Sequence, residues 1–410
     1  MSRAGRQEAG AVIVAAARTP ITARGRALAS MTAHELAGVA LAEVARRAGA
    51  RPEQVVLGSS LGDGGNLGRR AALVAGFGVG CPGWTVDAQC GSSLVALQQA
   101  AATVEQDGGV VAAGGAESVS GLPAERRAGG GVHQRPFTAA GFPDPDMTAA
   151  ADDLAARRGI PRARQEAFAR RSHALARRHA AGNRTARDRT AGDRTAGDRT
   201  AGDRTEDPAP VAPLGGIVDD GPRRLTPALT SRFRPVRAEP GASVTPATAA
   251  RPADGAAALL LMPAARARAL GLAGVRVRGR ALIGADPALP GIAAAPAAAQ
   301  VLAATGTRLE DLAAVEIVEA YAAQALACLD ALGLGAGDPR VDADGGALAL
   351  GHPWGASPAV AATHLVHRLA TAPAGTRGLI ACAIGGGMGA ALLVEAVDGR
   401  EGLCGVDMDS

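Results

Sequence analysis

Apolar residues in this chain gather into short runs separated by glycine- and proline-bearing turns, and the runs alternate with Ala-rich stretches of helical spacing. Ala11–Ala17 (AVIVAAA) reads as a buried strand, and Arg18-Thr19-Pro20 as the turn after it. Thr32 to Ala48 reads as a helix ending near Gly49, and Gln54–Gly58 as the next strand. A strand running into Val86, a helix from Ser92 to about Val104 and the strand Gly109–Ala113 complete the first half. The second half repeats this alternation. Ala313–Val318 is expected as a strand, Ala322–Leu332 and Pro358–Leu369 as helices, and Gly378–Ile384 and Ala390–Val397 as strands around a glycine turn. VVAAGGAES and LIACAIGGG stand at matching strand-to-loop junctions, which predicts an internal duplication. Alternating β and α elements predict a layered α/β fold with a largely buried sheet. Between the halves the pattern degrades: Arg164–Ala181 reads as a basic helix, and Arg184–Thr205 repeats R-T-A-x-D every five residues, the signature of a solvated, disordered tract.

The length, 410 residues, exceeds the ~250–300 at which one hydrophobic core usually stops growing, so a duplicated domain with an insertion fits better than a small binding module. Apolar residues make up 47%, yet only eight are aromatic (five Phe, two Trp, one Tyr), so the core must be built from Ala, Val, Leu and Ile. The 56 Gly and 25 Pro follow no three-residue period, which excludes collagen. All 43 basic residues are Arg; together with the Ala, Gly and Pro excess this reads as codon bias rather than guanidinium chemistry. A net charge of +4, much of it in the low-complexity tract, speaks against nucleic acid as a partner. The N-terminal ten residues lack an apolar signal region and no apolar run reaches the ~18 residues of a membrane span, so neither secretion nor membrane attachment is expected. The five cysteines, Cys81, Cys90, Cys328, Cys382 and Cys404, are odd in number and dispersed; they suggest no metal site and a reducing, cytoplasmic setting.

Three segments carry chemistry. In Val86-Asp87-Ala88-Gln89-Cys90-Gly91-Ser92-Ser93-Leu94 a Cys stands on a sharp turn between a strand and a helix N-terminus, where partial positive charge favours the thiolate. The alternative is a core Cys at a strand end. In Gly345–Ser357 (GGALALGHPWGAS) His352 is held between Gly and Pro in a glycine-rich loop, a setting suited to acid–base work, against the alternative of a His satisfied by local backbone. His364 and His367 lie three apart on an apolar helix without further zinc ligands and read as surface or packing residues. The third segment, Ile384–Ala390, meets a dinucleotide fingerprint at Gly385, Gly387 and Ala390, but only 20 residues follow, too few for a βαβ unit with its acidic ribose ligand. Its amides can instead point donors at a developing oxyanion.

A Cys, a His and a glycine turn in one α/β chain suit thioester exchange. At this point a resemblance becomes specific. VIVAAARTPI at 12–21, CGSSLVA at 90–96, GGAESVS at 114–120, DMTAAADDLA at 146–155, DGAAALLLM at 254–262, EAYAAQ at 319–324, GGALALGHPWGAS at 345–357 and IGGGMGAA at 384–391 stand in the order found in thiolases, the acyl-CoA C-acyltransferases of the acetyl-CoA acetyltransferase type. The chain resembles that family from Val12 to Val397, with the central tract as the main gap. The resemblance implies a five-layered αβαβα fold of two similar halves with an inserted loop domain. On that basis residues 1–120 and 253–274 form the N-terminal half, 121–252 the insertion with the repeat at 184–205, and 275–410 the C-terminal half. It further implies that Cys90 is acylated, that His352 assists its deprotonation and helps bind the thioester oxygen, and that the amides of Cys90 and Gly385 form the second oxyanion hole. Met147 and Tyr321, the latter where the family usually has Phe, are placed near the pantetheine arm. Coenzyme A thioesters are the implied substrates, with no permanently bound cofactor or metal, and a homodimer or homotetramer is the implied assembly.

Four positions depart from the family's pattern. The second Cys that normally precedes I-G-G-G is replaced by Ala383, and Cys382 comes one residue earlier; on a strand that offset turns the thiol to the opposite face unless a bulge intervenes. Cys382 is therefore an uncertain acid–base group. Val318 stands where the family has Asn, Ala250 where it tends to have Ser, and Pro358 where it has Gly. The chain's two Asn, Asn66 and Asn183, lie away from the matched motifs. Three functions follow: acyl transfer through Cys90 to a carbon nucleophile or to coenzyme A; a diverged enzyme that keeps the acyl-enzyme but serves a non-carbon acceptor or water, or condenses decarboxylatively; and a catalytically silent acyl-CoA-binding partner subunit.

Overall fold

In a computed structural model, residues 10–62, 64–122, 136–192, 211–212 and 214–398 are described; Cys404 and the 193–205 part of the repeat lie outside them. The strands are β1 (Ala11–Arg18), β2 (Thr22–Ala23), β3 (Gln54–Gly58), β4 (Gly83–Val86), β5 (Val111–Glu117), β6 (Ala253–Pro263), β7 (Gly274–Gly284), β8 (Leu312–Ile317), β9 (Arg377–Ile384) and β10 (Met388–Val397). The helices are α1 (Ala33–Ala48), α2 (Leu67–Val74), α3 (Ser92–Asp107), α4 (Met147–Arg157), α5 (Arg162–Gly192), α6 (Pro227–Thr230), α7 (Ala264–Ala269), α8 (Ala294–Thr305), α9 (Ala322–Leu332), α10 (Ala347–Leu350) and α11 (Ser357–Ala370). Local chemistry sets several of these ends. Thr32 and Glu35 form a capping box at the start of α1, and Gly49, at φ 61°, closes it in the left-handed conformation.

Strand order β4-β3-β5-β6-β1-β7-β10-β9-β8 repeats one motif twice, with β2 pairing β6. In the first half β3 runs parallel to β5, β5 antiparallel to β6 and β6 antiparallel to β1. In the second half β8 runs parallel to β9, β9 antiparallel to β10 and β10 antiparallel to β7. VVAAGGAES on β5 and LIACAIGGG on β9 therefore occupy equivalent strands. A short antiparallel contact between β1 and β7 joins the halves.

Three apolar cores define the layers. One lies between α1 and the first half-sheet and one between α8, α9 and the second. The third and central core sandwiches α3 and α11 between the two half-sheets. This is the expected five-layered α/β fold, and its small side chains explain how five layers pack closely: Gly389, for instance, approaches Ala293 so nearly that a Cβ there would lie 2.0 Å from the Ala293 carbonyl oxygen. One expectation is corrected. The basic helix does not end near Ala181 but continues to Gly192, so residues 184–192 are helical rather than disordered. Ala and Arg are strong helix formers, and a helix already anchored by packing propagates into such a sequence without a new nucleation cost.

Candidate active site

Both central helices begin at the same place, and that is what builds the site. Cys90 lies on a 3₁₀ turn, Gln89–Gly91, between β4 and α3. Gln89 has φ 50°, a left-handed conformation uncommon outside glycine, and the turn is held by neighbouring hydrogen bonds. Ser92 Oγ donates to the Gln89 carbonyl (2.6 Å) and accepts from the Ala88 amide (2.9 Å). Gly91 has no room for a side chain, since a Cβ would stand 2.3 Å from Ile384 Cδ1. The amide of Ala359, in the first turn of α11, donates to Ser93 Oγ (3.0 Å), locking the two helix starts together.

The His352 loop docks on this turn. The Trp354–Ala356 turn packs on the Cys90 turn, and the His352 amide donates to the Arg251 carbonyl (2.7 Å). Glu117, at the end of β5 and 1% exposed, accepts from Ser59 Oγ (2.6 Å), Ser60 N (3.0 Å), Leu61 N (3.1 Å) and Gly355 N (2.8 Å). One buried carboxylate thus ties the loop after β3 to the loop carrying His352. The imidazole is buried with Nδ1 2.6 Å from Ser357 Oγ, while Nε2 finds no hydrogen-bond partner among the described residues. Nε2 is thus left open to a hydrogen bond or proton from a bound molecule.

The electrostatics differ from the sequence expectation. The helix N-terminus was expected to favour a thiolate at Cys90; instead burial, reinforced by the Glu117 charge, pushes the Cys90 thiol up to about 12. Burial also pushes His352 down to about 4. The resting pair is therefore neutral thiol and neutral imidazole, not an ion pair.

The other sequence-derived positions divide. Gly385 lies in the turn between β9 and β10, followed by Gly386 and Gly387 at φ 84° and 77°, and a Cβ on Gly385 would come within 3.0 Å of the Phe137 ring. Met147, half-buried, opens α4, which Asp146 caps by accepting from the Thr148 and Ala149 amides. Tyr321 Oη lies 3.2 Å from Thr148 Oγ1, and its phenol is pushed up to about 12 by burial, with the nearby Asp146 and Cys90 adding to the rise. Tyr321, Cys90 and the start of α4 therefore share one neighbourhood. Strand β9 pairs with β10 in unbroken register from Arg377 to Ile384, without a bulge. Cys382 is fully buried, its Sγ 3.5 Å from the Cys90 carbonyl oxygen, whereas half-buried Ala383 faces the other way. Val318 is 5% exposed and brings no polar group. Among the described residues no cluster of His, Cys, Asp or Glu is arranged to hold a metal, and no helix is long and apolar enough to cross a membrane. His364 and His367 pack inside, bonded to Arg18 Nε and the Ala16 carbonyl respectively.

Sequence reasoning missed Glu117, Ser357 and Phe137. Glu117 and Ser357 were visible only as parts of quoted motifs, and Phe137 acquires its role from a contact over the folded chain.

Comparison with known proteins agrees with this geometry. Residues 11–186 match the family description "Thiolase, N-terminal domain" and residues 272–396 "Thiolase, C-terminal domain". The chain is 36% identical over 400 residues to an acetyl-CoA acetyltransferase of Pseudomonas aeruginosa, covering 93% of this chain and 98% of that protein. It is 33% identical over 399 residues to a 3-ketoacyl-CoA thiolase of Aeromonas salmonicida, covering 94% and 99%. The crystal structure of the Bacillus anthracis acetyl-CoA acetyltransferase superposes with a TM-score of 0.79 at 32% identity, covering 95% of this chain and 99% of that one.

Proposed function

The chain belongs to the thiolase family, an acyltransferase family, and from that premise we propose that it takes an acyl group from acyl-CoA onto Cys90 Sγ and passes it on by thiolase-type acyl transfer. The observation that carries the assignment of roles is the unpartnered Nε2 of a buried, neutral His352 in the loop docked on the Cys90 turn. A thiol held near 12 needs a base at the moment of attack, and an imidazole of this kind can supply it. Nε2 takes the Sγ proton as sulfur attacks the thioester carbonyl, then returns it to the departing coenzyme A sulfur. The amides of Cys90 and Gly385 are proposed to hold the oxyanion, and Met147 and Tyr321 to flank the pantetheine arm.

A narrower reading follows from β9. Carbon–carbon bond formation needs a second acid–base group at the acceptor's α-carbon; Ala383 offers none, and the fully buried Cys382 thiol is spent on the Cys90 backbone carbonyl. That favours an enzyme whose acylation half is intact and whose condensation is slow, unless the acceptor loses CO₂ or is not a carbon nucleophile. The edge strand β4, which among the described residues pairs with β3 alone, supports assembly as a homodimer or homotetramer, and the unpaired thiols of Cys81, Cys90, Cys328 and Cys382 support a reducing, cytoplasmic location.

Incubation with acetyl-CoA and longer acyl-CoAs, followed by intact and peptide mass spectrometry, tests the proposal. An acyl adduct on Cys90, absent from Cys90→Ala, is expected; no adduct with any donor would overturn it.

A further inference from the structure

Behind His352 lies a small cavity of about 20 Å³, with Glu316, Val318, Asp342, Ser357, Val360 and His364 among its walls. A site for one water needs roughly 10–15 Å³ and two or more polar partners, so this space suits one or two waters. The partners are present. Ser357 Oγ stands 2.6 Å from His352 Nδ1. Asp342 is held at φ 43°, a left-handed backbone that Asp tolerates; its Oδ1 accepts from the Ile317 amide (2.9 Å), and its Oδ2 has no partner among the described residues.

Several ionisable groups surround the cavity. Glu316 comes from β8 and Glu319 from just beyond it, Asp342 and Asp344 from the loop before α10, Arg368 and His364 from α11, and His179 and Arg171 from α5. Arg368 bonds Glu316 and lies 3.8 Å from Asp344, which His179 Nδ1 also meets at 3.1 Å. His364 Nε2 accepts from Arg18 Nε (3.1 Å) and so carries no charge. Asp342 makes no ion pair among the described residues and feels only the Arg368 cation, which is shared with Glu316 and Asp344. Glu316 and Asp342 both line the cavity, and the unpartnered Asp342 Oδ2 gives a proton entering it an acceptor. Burial raises both carboxyls, so a proton that reaches the free Asp342 carboxylate oxygen is held there.

We infer that the Glu316–Asp342 pair is a proton reservoir for His352, reached through Ser357 and water in this cavity. The inference rests on the proposed acylation of Cys90. As Nε2 receives the Sγ proton, Nδ1 passes its own proton to Ser357 Oγ, the Ser357 hydroxyl proton moves to the water, and one water proton moves to the pair. The imidazole is left neutral, with Nε2–H aimed at the oxyanion, so no imidazolium forms in a site whose burial opposes one. When coenzyme A leaves, the protons return along the same path and Nε2–H protonates its sulfur. Glu316, Asp342 and Ser357 touch no substrate; they act through His352 as positioning residues.

The test is rapid-quench acylation of the full chain by acetyl-CoA in H₂O/D₂O mixtures, read by mass spectrometry of the Cys90 peptide. Wild type is expected to give a bowed dependence on the deuterium fraction, several protons moving together. Ser357→Ala and Asp342→Asn are expected to slow acylation on the order of tenfold to a hundredfold at saturating acetyl-CoA, with a straight-line dependence and unchanged half-saturation. Ser357→Thr, which keeps a hydroxyl, is expected to restore most of the rate. Asp342→Asn retains the Oδ1 bond to Ile317; if it does not fold, the Ser357 pair decides. Wild-type rates in both variants, or slowing with the bowed dependence retained, overturn the reservoir. Absence of any adduct in wild type overturns the acyl-enzyme proposal instead.

Discussion

Replacing Glu117 with Gln isolates the contact that joins the loop after β3 to the loop carrying His352, the proposed base. Its carboxylate accepts four hydrogen bonds, two on each oxygen: Ser59 Oγ and Leu61 N on Oε1, Ser60 N and Gly355 N on Oε2. An amide keeps the shape but turns one acceptor into a donor. The least costly orientation points the new NH₂ at Ser59, whose hydroxyl can rotate to accept, and leaves the Leu61 amide unpaired at about 1–3 kcal/mol. The remaining bonds lose their charge assistance, bringing the total to about 2–4 kcal/mol. Glu117→Ala strands all four donors and opens a void, so it should cost more. Because Gly355 belongs to the turn that follows His352, loosening it should misplace the imidazole, and a shift of about 1 Å commonly costs about 10²-fold in rate. The same substitution removes a negative charge that helps raise the Cys90 thiol, so Sγ should become more acidic. Urea unfolding and Cys90 acylation should both fall while alkylation of Cys90 by iodoacetamide at fixed pH speeds up. A Gln variant within about 0.5 kcal/mol of wild type, acylating normally, would refute this account of the site's assembly.

In wild type, alkylation of Cys90 should keep accelerating with pH beyond 9, because the thiol held near 12 gains thiolate only as protons are removed; a plateau below pH 8 would contradict the neutral resting pair. Ala383→Cys places a thiol on the face of β9 opposite Cys382 and should raise acetoacetyl-CoA formation or thiolysis about 10²-fold, measured by thioester absorbance, whereas Cys382→Ser should leave turnover unchanged. Gly58→Ala would set a Cβ 2.3 Å from the backbone of Ser92 and Ser93, displacing the start of α3; a loss of about 3 kcal/mol by urea titration is expected, with acylation falling in parallel.

The elements were legible because strand and helix periods are local properties. Ala322–Leu332 lies within the residues expected, and Gln54–Gly58 likewise, because Gly and polar residues close both ends. The strand expected at Gly109–Ala113 instead runs from Val111 to Glu117: its Gly114, Gly115 and Glu117 look like loop residues but lie buried between β3 and β6, where tertiary packing overrides propensity. At the site, motif order pointed to Cys90 and His352 as candidates, and the period of two to opposite facings of Cys382 and Ala383; that the Cys382 thiol ends against the Cys90 carbonyl was not legible. Ser357 lies only five residues from His352, but nothing in the loop's sequence shows that its hydroxyl meets the ring nitrogen, and nothing local pointed to Asp342, whose neighbour Glu316 comes from β8.

What the sequence by itself determined is therefore the alternation of strands and helices and the two similar halves, which rest on periodicity and turn residues; the proposed nucleophile and base rest on the resemblance carried by motif order. The protonation of that pair was decided only by the tertiary structure. A helix start alone argues for a thiolate, but burial in the central layer and a carboxylate delivered from β5 outweigh it, because desolvation depends on everything that surrounds a group and not on its neighbours in the chain.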